Sequence, residues 1–222
     1  MLTRLIDAVI FDLDGTLVDS SPGIEYAVAA AWAAVQPGPP CPSLRSLIGP
    51  PIHEMLRQVL PDADAATLTA LERAFRNAYD SDGWQKTVAY PGVLETLATL
   101  ITEGVRCFGV TNKPTLPTQR ILEHCGLRVY FQEFLSLDSR TPPFASKSEA
   151  VTELLTQYGL DPVRTLLMGD SVDDACVAQA CGLRFAAFAG GYGWACQPID
   201  LPVALVCTDF ADVLQLIQTK AV

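Results

Sequence analysis

The sequence predicts an α/β protein whose parallel sheet core carries a small all-helical insertion. Two patterns support this fold class. After residue 90, short runs of apolar, branched residues alternate with helical segments that mostly end at glycine, which is typical of a parallel sheet covered by helices on both faces. Between residues 20 and 87, helical patterns follow one another without a convincing strand. We therefore expect a Rossmann-like core with one helical insertion.

The first element is a strand over Leu5–Phe11, which is largely apolar and rich in branched residues. Asp12 and Asp14 follow it directly, and Gly15 ends the segment. Ligands of open α/β sheets bind at the carboxyl ends of the strands. Two carboxylates there repel each other, and their burial is costly unless a cation or a shared proton relieves them. The pair indicates a cation site, and the alternative is an ordinary Asp-Gly turn.

Helical signals follow the first strand. Asp19 to Pro22 combine capping side chains with a proline suited to an early helical position, so a helix is predicted over 23–35. The proline-rich segment 37–42 ends it. Further short helices are predicted over 43–48, 52–60 and 64–80.

This helical block predicts a division into two domains. A core domain would consist of residues 1–19 and 88–222, and a cap domain of residues 20–87. Strands of one sheet are rarely joined by so long a helical crossover. The alternative is that these helices belong to the main fold.

The second part of the chain alternates between helices and strands. We expect a last helix that begins after Asp209 and reaches about residue 219. The elements before it are predicted, in chain order, as a helix over 93–103, a strand over 105–110, a helix over 115–125, a short strand over 133–136, a helix over 147–158, a strand over 165–168, a helix over 173–181, and strands over 184–188 and 203–207.

Composition limits the classes of partner. Half of the 222 residues are hydrophobic, the formal net charge is −10 and the pI is near 4.5. Such an acidic chain argues against binding to nucleic acid or to an anionic membrane surface. The seven cysteines form no CxxC pair, which favours reduced core thiols, and Asp7 and Asp12 interrupt any secretory apolar run. We expect a cytoplasmic monomer or homodimer.

Two further groups of polar residues follow strands. Thr111-Asn112-Lys113-Pro114 offers a hydroxyl and backbone N–H groups that suit phosphoryl oxygens, although the same residues also form ordinary turns. Gly169 to Asp174 follow the predicted strand 165–168 and include three acids. The alternative is helix capping, because acidic residues are also favoured in the first turn of a helix. Capping explains Asp173 and Asp174 in part, but it explains Asp170 poorly.

These motifs together resemble those of the haloacid dehalogenase-like phosphohydrolases. Asp12-Leu13-Asp14-Gly15-Thr16-Leu17-Val18 resembles the first motif of that family, Thr111 the second, and Gly169 to Asp174 the fourth. The resemblance spans nearly the whole chain and is strongest to the phosphoglycolate phosphatase-like group. Asp173 departs from the pattern, because the family usually has asparagine there.

The resemblance implies a Mg²⁺-dependent reaction and assigns roles to the acids. Asp12 would be the nucleophile and form an aspartyl-phosphate, and Asp14 would act as general acid and base. Mg²⁺ would be held by the Asp12 carboxylate, the Asp14 backbone carbonyl and Asp170. Ser171 and Asp174 would support this site, and whether Asp174 binds Mg²⁺ directly is left open.

The resemblance also requires a lysine and groups that bind the phosphate. Thr111 and Asn112 would bind the transferring phosphoryl group. The family's frequent Lys-Pro-x-Pro is absent, but Lys147 opens a predicted helix between the second and fourth motifs. We favour Lys147 as the catalytic, phosphate-binding lysine, with Lys113 beside Thr111 as the rival.

The expected function is therefore hydrolysis of a small phosphorylated metabolite, a phosphomonoester of the phosphoglycolate kind. The alternatives are a 5′-nucleotidase or pyrophosphatase of the same superfamily, then a sugar phosphomutase, and last a catalytically silent binding protein.

Overall fold

A computed structural model of the chain describes residues 5–36, 38, 40–44, 47–193 and 202–217. The strands in these ranges are β1 (Ala8–Phe11), β2 (Val18–Asp19), β3 (Val88–Ala89), β4 (Arg106–Thr111), β5 (Glu133–Ser136), β6 (Thr165–Gly169), β7 (Arg184–Phe188) and β8 (Leu205–Cys207). The α-helices there are α1 (Ser21–Val35), α2 (Ile52–Val59), α3 (Ala65–Ser81), α4 (Val93–Thr102), α5 (Thr115–His124), α6 (Lys147–Gln157) and α7 (Val172–Ala180).

Six of these strands form one sheet in the order β5-β4-β1-β6-β7-β8. Every neighbouring pair in this sheet is parallel. β1 lies in the middle and pairs with β4 on one side and β6 on the other. The predicted α/β fold with a parallel sheet is therefore confirmed.

The side chains of β1 alternate between two cores, as the two-residue repeat of a strand requires. Val9 and Phe11 lie in a hydrophobic cluster that includes residues of α4 and α5. Ala8 and Ile10 belong to a second cluster, which includes residues of α6 and α7. Because both faces of the sheet are covered, the strand is apolar throughout, and this is the pattern seen in the sequence.

The inserted helices pack against one another around a third hydrophobic cluster. α1 and α3 make its most extensive contact, and α2 packs against α3. A two-stranded antiparallel ribbon of β2 and β3 lies where the chain enters and leaves this helical block. The sequence did not predict the ribbon, because two residues per strand are too few to give a periodic signal.

Two predicted helices differ from the structure. Ser43, Leu44 and Ile48 are not helical, whereas residues 45 and 46 of that predicted helix lie outside the described ranges. Prolines and a glycine flank the segment, and the Leu47 N–H donates to the Leu44 carbonyl at 2.9 Å. The last predicted helix is a 3₁₀ helix over Phe210–Leu216, and its predicted end lies outside the described residues.

The described cysteines are all free, but their environments differ. Cys107 and Cys207 are buried, as the prediction of core thiols requires. Cys41 and Cys176 are exposed, so that prediction was wrong for them, and Cys196 lies outside the described residues. In the part of the chain that the structure describes, no helix is long and apolar enough to cross a membrane.

Candidate active site

The candidate site lies at the carboxyl edge of the sheet, where β1, β4 and β6 end side by side. Phe11, the last residue of β1, is level with Gly109 in β4 and Met168 in β6. The Asp12 N–H donates to the Met168 carbonyl at 3.0 Å, so the β1–β6 ladder continues to the first acid. This register brings the three predicted motifs to one edge.

A tight turn after β1 turns the chain away from the sheet. The Leu13 carbonyl accepts the N–H groups of Thr16, Leu17 and Val18 at 2.9–3.3 Å. Gly15 has φ +86°, and a Cβ there would lie 2.3 Å from Asp170 Oδ2. Glycine is thus required both by the backbone conformation and by the close approach of Asp170.

Lys147, the first residue of α6, lies between two of the acids. Its Nζ donates to Asp12 Oδ1 and to Asp174 Oδ1, both at 2.5 Å. The lysine side chain is only 6% exposed, so this ion pair is shielded from solvent. Lys147 therefore contacts the first acid of the first motif, whereas the rival Lys113 contacts Asp14.

The start of α6 is held by its own side chains. Ser146 caps the helix by accepting the Glu149 N–H at 3.2 Å. The Glu149 carboxylate in turn accepts the Ala145 N–H at 2.6 Å and pairs with Arg140. These contacts fix the backbone from which Lys147 extends toward the sheet edge.

Asp174 is held in place by the start of α7. Ser171 caps this helix and shares a reciprocal capping box with Asp174. Asp174 Oδ2 accepts the Ser171 hydroxyl at 2.5 Å and the Ser171 N–H at 3.1 Å. A Cβ at Gly169 would lie 2.4 Å from Asp174 Cβ, so the close approach of this acid requires glycine.

Asp170 is oriented by a loop that follows β7. Its Oδ2 accepts the backbone N–H groups of Tyr192 at 2.7 Å and Gly193 at 3.2 Å. Its Oδ1 meets only the Thr16 hydroxyl, at 3.4 Å, among the described contacts. Two fixed backbone donors thus hold one oxygen, and the other accepts no backbone donor among the described contacts.

The electrostatics of these acids follow from their burial. Burial, and then the neighbouring carboxylates of Asp174 and Asp170, raise the pKa of Asp12 well above its usual range against the opposing effect of Lys147. Burial and Asp174 likewise raise the pKa of Asp170 to about 6. Burial alone would lower the pKa of Lys147, but Asp12 and Asp174 outweigh it and raise that pKa. The cluster favours an additional positive charge.

The chemistry of the cluster fits a hard divalent cation. One carboxylate oxygen from each of Asp12, Asp170 and Asp174 lies within 4.8 Å of the others, and all three residues are buried. Carboxylate oxygens are the ligands that Mg²⁺ prefers. Both Asp174 oxygens are already engaged, by Lys147 and by Ser171, which suits a supporting acid better than a direct ligand.

Asp14 points to a different partner from Asp12. Its two carboxylate oxygens accept hydrogen bonds from Lys113 Nζ at 3.0 and 3.1 Å. That Nζ also lies 4.7 Å from the centre of the Tyr79 ring, which belongs to α3 of the helical insertion. Burial alone would lower the pKa of Lys113, but Asp14 and then Tyr79 outweigh it and raise that pKa.

The remaining predicted residues occupy distinct positions. Thr111 ends β4 and is buried, and its hydroxyl accepts the Lys113 N–H at 3.1 Å. Asn112 is exposed beside it. Asp173 is exposed on the first turn of α7, where a negative charge suits the helix N-terminus, so it stands apart from the acid cluster.

Sequence reasoning missed the loop after β7 and the role of Tyr79. The Gly190-Gly191 pair after a strand end was the available signal for the loop, because a Cβ at Gly191 would lie 2.2 Å from the Gly15 carbonyl oxygen. The Tyr192 hydroxyl reaches the start of the helical insertion, where it accepts the Ser20 N–H at 2.7 Å and donates to Asp19 at 2.8 Å.

A parallel sheet with buried acids and a lysine gathered at its carboxyl edge defines a class of α/β enzymes, and comparison with known proteins specifies the family. The family model described as haloacid dehalogenase-like hydrolase matches residues 9–188. The chain belongs to this family of hydrolases. The resemblance seen in the sequence is thereby confirmed.

Individual relatives share most of their length with this chain. Phosphoglycolate phosphatase 1 of Pseudomonas aeruginosa is 32% identical over 96% of this chain and 80% of the relative. Tyrosine-protein kinase PtkA of Mycobacterium tuberculosis is 33% identical over 94% of this chain and 70% of the relative. A crystal structure described as a predicted phosphoglycolate phosphatase from Haemophilus somnus is 27% identical, covers 96% of this chain and 98% of its own, and superposes with a TM-score of 0.80.

Proposed function

We propose that this protein is a Mg²⁺-dependent phosphatase that hydrolyses a small phosphomonoester of the phosphoglycolate kind through an aspartyl-phosphate on Asp12. The observation that carries the proposal is the buried Asp12 carboxylate, which is bonded through one oxygen to Lys147 and stands at the sheet edge with Asp170 and Asp174. The similarity to phosphoglycolate phosphatases supports the substrate class.

The first half of the reaction uses the two acids of the first motif. An Asp12 carboxylate oxygen attacks phosphorus, and the bond between phosphorus and the ester oxygen breaks. Asp14 gives its proton to the leaving alkoxide as that bond breaks. In the second half, Asp14 removes a proton from water, the water oxygen bonds to phosphorus, and the phosphorus–Asp12 bond breaks. Inorganic phosphate leaves and Asp12 is restored.

The other residues balance charge. Lys147 neutralises Asp12 and the incoming phosphate, so that an anionic nucleophile can approach an anionic substrate. Thr111 and Asn112 lie at the end of β4, where a hydroxyl and backbone N–H groups suit the phosphoryl oxygens. Mg²⁺ held by Asp12, Asp170 and the Asp14 backbone carbonyl would supply further charge neutralisation on the phosphoryl group. Asp174 would hold Lys147 in position, and Ser171 would hold Asp174.

We further propose that residues 20–87 form a cap domain over a core of residues 1–19 and 88–222. The separate hydrophobic cluster of the inserted helices and the ribbon at their base support this division. A cap of this kind would exclude water from the phosphoryl group and select the leaving group.

The direct test is release of inorganic phosphate from p-nitrophenyl phosphate and from a panel of small phosphorylated metabolites, with and without Mg²⁺. Hydrolysis that depends on Mg²⁺ and a preference for 2-phosphoglycolate are expected. Preference for nucleoside monophosphates or pyrophosphate would favour the nucleotidase or pyrophosphatase alternatives. Conversion of a hexose phosphate to its isomer would favour a phosphomutase, and absence of all turnover would leave a binding protein.

The similarity to PtkA favours a second candidate, phosphoryl transfer from ATP to a protein tyrosine. The same fold and carboxylate site would then pass the phosphoryl group to a tyrosine hydroxyl instead of water. Incubation with ATP labelled at the γ-phosphate and a tyrosine-containing polypeptide distinguishes the two. The phosphatase proposal expects labelled inorganic phosphate at most, and labelled phosphotyrosine would favour transfer.

A further inference from the structure

Lys113 and Tyr79 form a polar pair on the side of the site where the leaving group would depart. Lys113 Nζ donates to both Asp14 oxygens at 3.0 and 3.1 Å, and its side chain is 8% exposed. Asp14 is the residue proposed to protonate the ester oxygen. The organic group bonded to that oxygen therefore lies within reach of Lys113.

Tyr79 contributes a buried hydroxyl to the same place. The residue is 4% exposed, and its hydroxyl makes no hydrogen bond of normal geometry among the described residues, although it lies close enough to Lys113 to help raise the pKa of that ammonium. The ring is held by close neighbours: a Cβ at Gly83 would lie 3.0 Å from it, and Phe75 stacks on it at 5.6 Å. A rigidly placed buried hydroxyl without a partner is costly unless a ligand completes its hydrogen bonding.

The charges around the pair select the chemistry of that ligand. Lys147 is committed to Asp12 and Asp174, so Lys113 is the buried ammonium on the Asp14 side. An ammonium and a hydroxyl are both hydrogen-bond donors to an anion. A carboxylate on the leaving group would be repelled by Asp14 alone, whereas Lys113 offsets that repulsion.

We propose that Lys113 and Tyr79 form a carboxylate-binding subsite, which selects phosphomonoesters whose leaving group carries a carboxylate close to the ester oxygen. Lys113 bridges Asp14 and the substrate carboxylate, and the Tyr79 hydroxyl donates to the second carboxylate oxygen. The subsite rests on the proposed phosphatase function, because it depends on Asp14 facing the leaving group.

The test compares two substrates that differ only in the carboxylate. Ethyl phosphate and 2-phosphoglycolate share the ester linkage and the two-carbon chain. The measured quantity is the ratio of kcat/KM for 2-phosphoglycolate to kcat/KM for ethyl phosphate, for wild type, Tyr79→Phe and Lys113→Met.

Hydrogen bonds to charged groups are worth enough that Tyr79→Phe should lower this ratio about tenfold or more. Any loss on ethyl phosphate should be smaller than the loss on 2-phosphoglycolate. Lys113→Met should bring the ratio close to unity, although its turnover of ethyl phosphate also falls because Asp14 loses its partner.

A matched control pair exists elsewhere in the insertion. Lys86 Nζ lies 4.7 Å from the centre of the Tyr26 ring, the same distance as in the Lys113–Tyr79 pair, but both residues are exposed. Tyr26→Phe and Lys86→Met should leave the ratio unchanged.

Three results separate the subsite from the underlying function. An unchanged ratio in Tyr79→Phe and Lys113→Met, with equal losses on both substrates, overturns the subsite and reduces Lys113 to a positioning residue for Asp14. Wild-type hydrolysis of ethyl phosphate with no preference for 2-phosphoglycolate also overturns the subsite but leaves the phosphatase function standing. Hydrolysis of neither substrate, nor of p-nitrophenyl phosphate, overturns the proposed function and the subsite with it.

Discussion

Asp12 combines a buried position with one oxygen bonded to Lys147, which is the arrangement that a carboxylate nucleophile requires. We predict that Asp12→Asn lowers phosphate release by at least about 10³-fold, because an amide does not attack phosphorus and nucleophile removal is among the costliest changes to an enzyme. The fold should persist, since Lys147 keeps Asp174 as a partner. Circular dichroism checks the fold, and near-normal turnover by the folded variant would refute the covalent mechanism.

The two lysines of the site differ in what they neutralise. Lys147 lies between Asp12 and Asp174, so Lys147→Ala should lower kcat by about 10²–10³-fold, as removal of a transition-state donor commonly does. Lys113 contacts Asp14 and not Asp12, so Lys113→Ala should lose less. Assays with p-nitrophenyl phosphate rank the variants without the influence of a substrate carboxylate. The exposed Lys86→Ala is the control, and the reverse ranking would transfer the family role to Lys113.

The sequence predicts a site residue well when the signal for it lies in the neighbouring residues, and poorly when it depends on a contact with a distant part of the chain. Lys147 and Asp170 were singled out from a helix start, a strand end and the order of the family motifs, although the contact of Lys147 with Asp12 spans 135 positions. The pairing of Lys113 with Asp14 joins residues 99 positions apart, and no periodic pattern encodes that contact. Tyr192 was missed for the same reason, since its partners at residues 19–21 are far away in the chain.

At the scale of elements, the turn after β1 has to fit against the acid at the end of β6. Gly15→Ala and Gly126→Ala both place a side chain at positive φ, +86° and +68°. Gly126→Ala should lose about 1 kcal/mol of stability, and Gly15→Ala should lose more because of the added steric clash. Only at Gly15 would the new Cβ meet Asp170, whereas nothing lies within 4 Å of a Cβ at Gly126.

Gly15→Ala should therefore also weaken activation by Mg²⁺, and Gly126→Ala should not. Titration of phosphatase activity with Mg²⁺ in both variants checks this prediction. Equal activation constants in the two would mean that the approach of Gly15 to Asp170 does not matter for metal binding.

The start of α1 depends on a contact from outside its own segment. The Ser20 side chain does not cap this helix, and Asp19 Oδ1 accepts the Ser21 N–H at 2.9 Å. The Tyr192 hydroxyl accepts the N–H groups of Ser20 and Ser21 at 2.7 and 3.1 Å, and it is the described acceptor for Ser20. Tyr192→Phe should lower the free energy of unfolding by about 1–3 kcal/mol, because a backbone donor loses its partner. Urea denaturation measures the change, with the exposed Tyr26→Phe as control. Equal stability of the two variants would argue against this role.

Short elements escaped sequence prediction for an energetic reason. The ribbon of β2 and β3 has only two residues per strand, so its position is set by the sheet on one side and the helices on the other. Composition predicts a helix over 43–48, yet Ser43, Leu44 and Ile48 are not helical, because the flanking prolines leave few residues to offset the cost of nucleating a helix. Its buried Leu44 and Ile48 still contribute to the core of the insertion.

At the scale of the whole molecule, the site concentrates acids in a chain whose formal net charge is already −10. Self-repulsion of this kind destabilises the folded state, and a bound cation relieves it. Mg²⁺ should therefore stabilise the protein as well as activate it, and it should do so without any substrate.

Mg²⁺ that binds only the folded state adds about 2.7 kcal/mol at a concentration one hundred times its Kd. For a chain of this size each kcal/mol raises Tm by about 2–4 °C, so saturating Mg²⁺ should raise Tm by about 5–10 °C. EDTA should reverse this rise and abolish turnover.

Asp170→Asn removes one ligand charge and should lose most of the rise, whereas Asp173→Asn, on the exposed first turn of α7, should keep it. Ca²⁺ should also raise Tm yet support little turnover, because its looser coordination disturbs in-line geometry. Full activity in excess EDTA, or an equal rise in Tm for wild type and Asp170→Asn, would contradict a metal site built on this cluster.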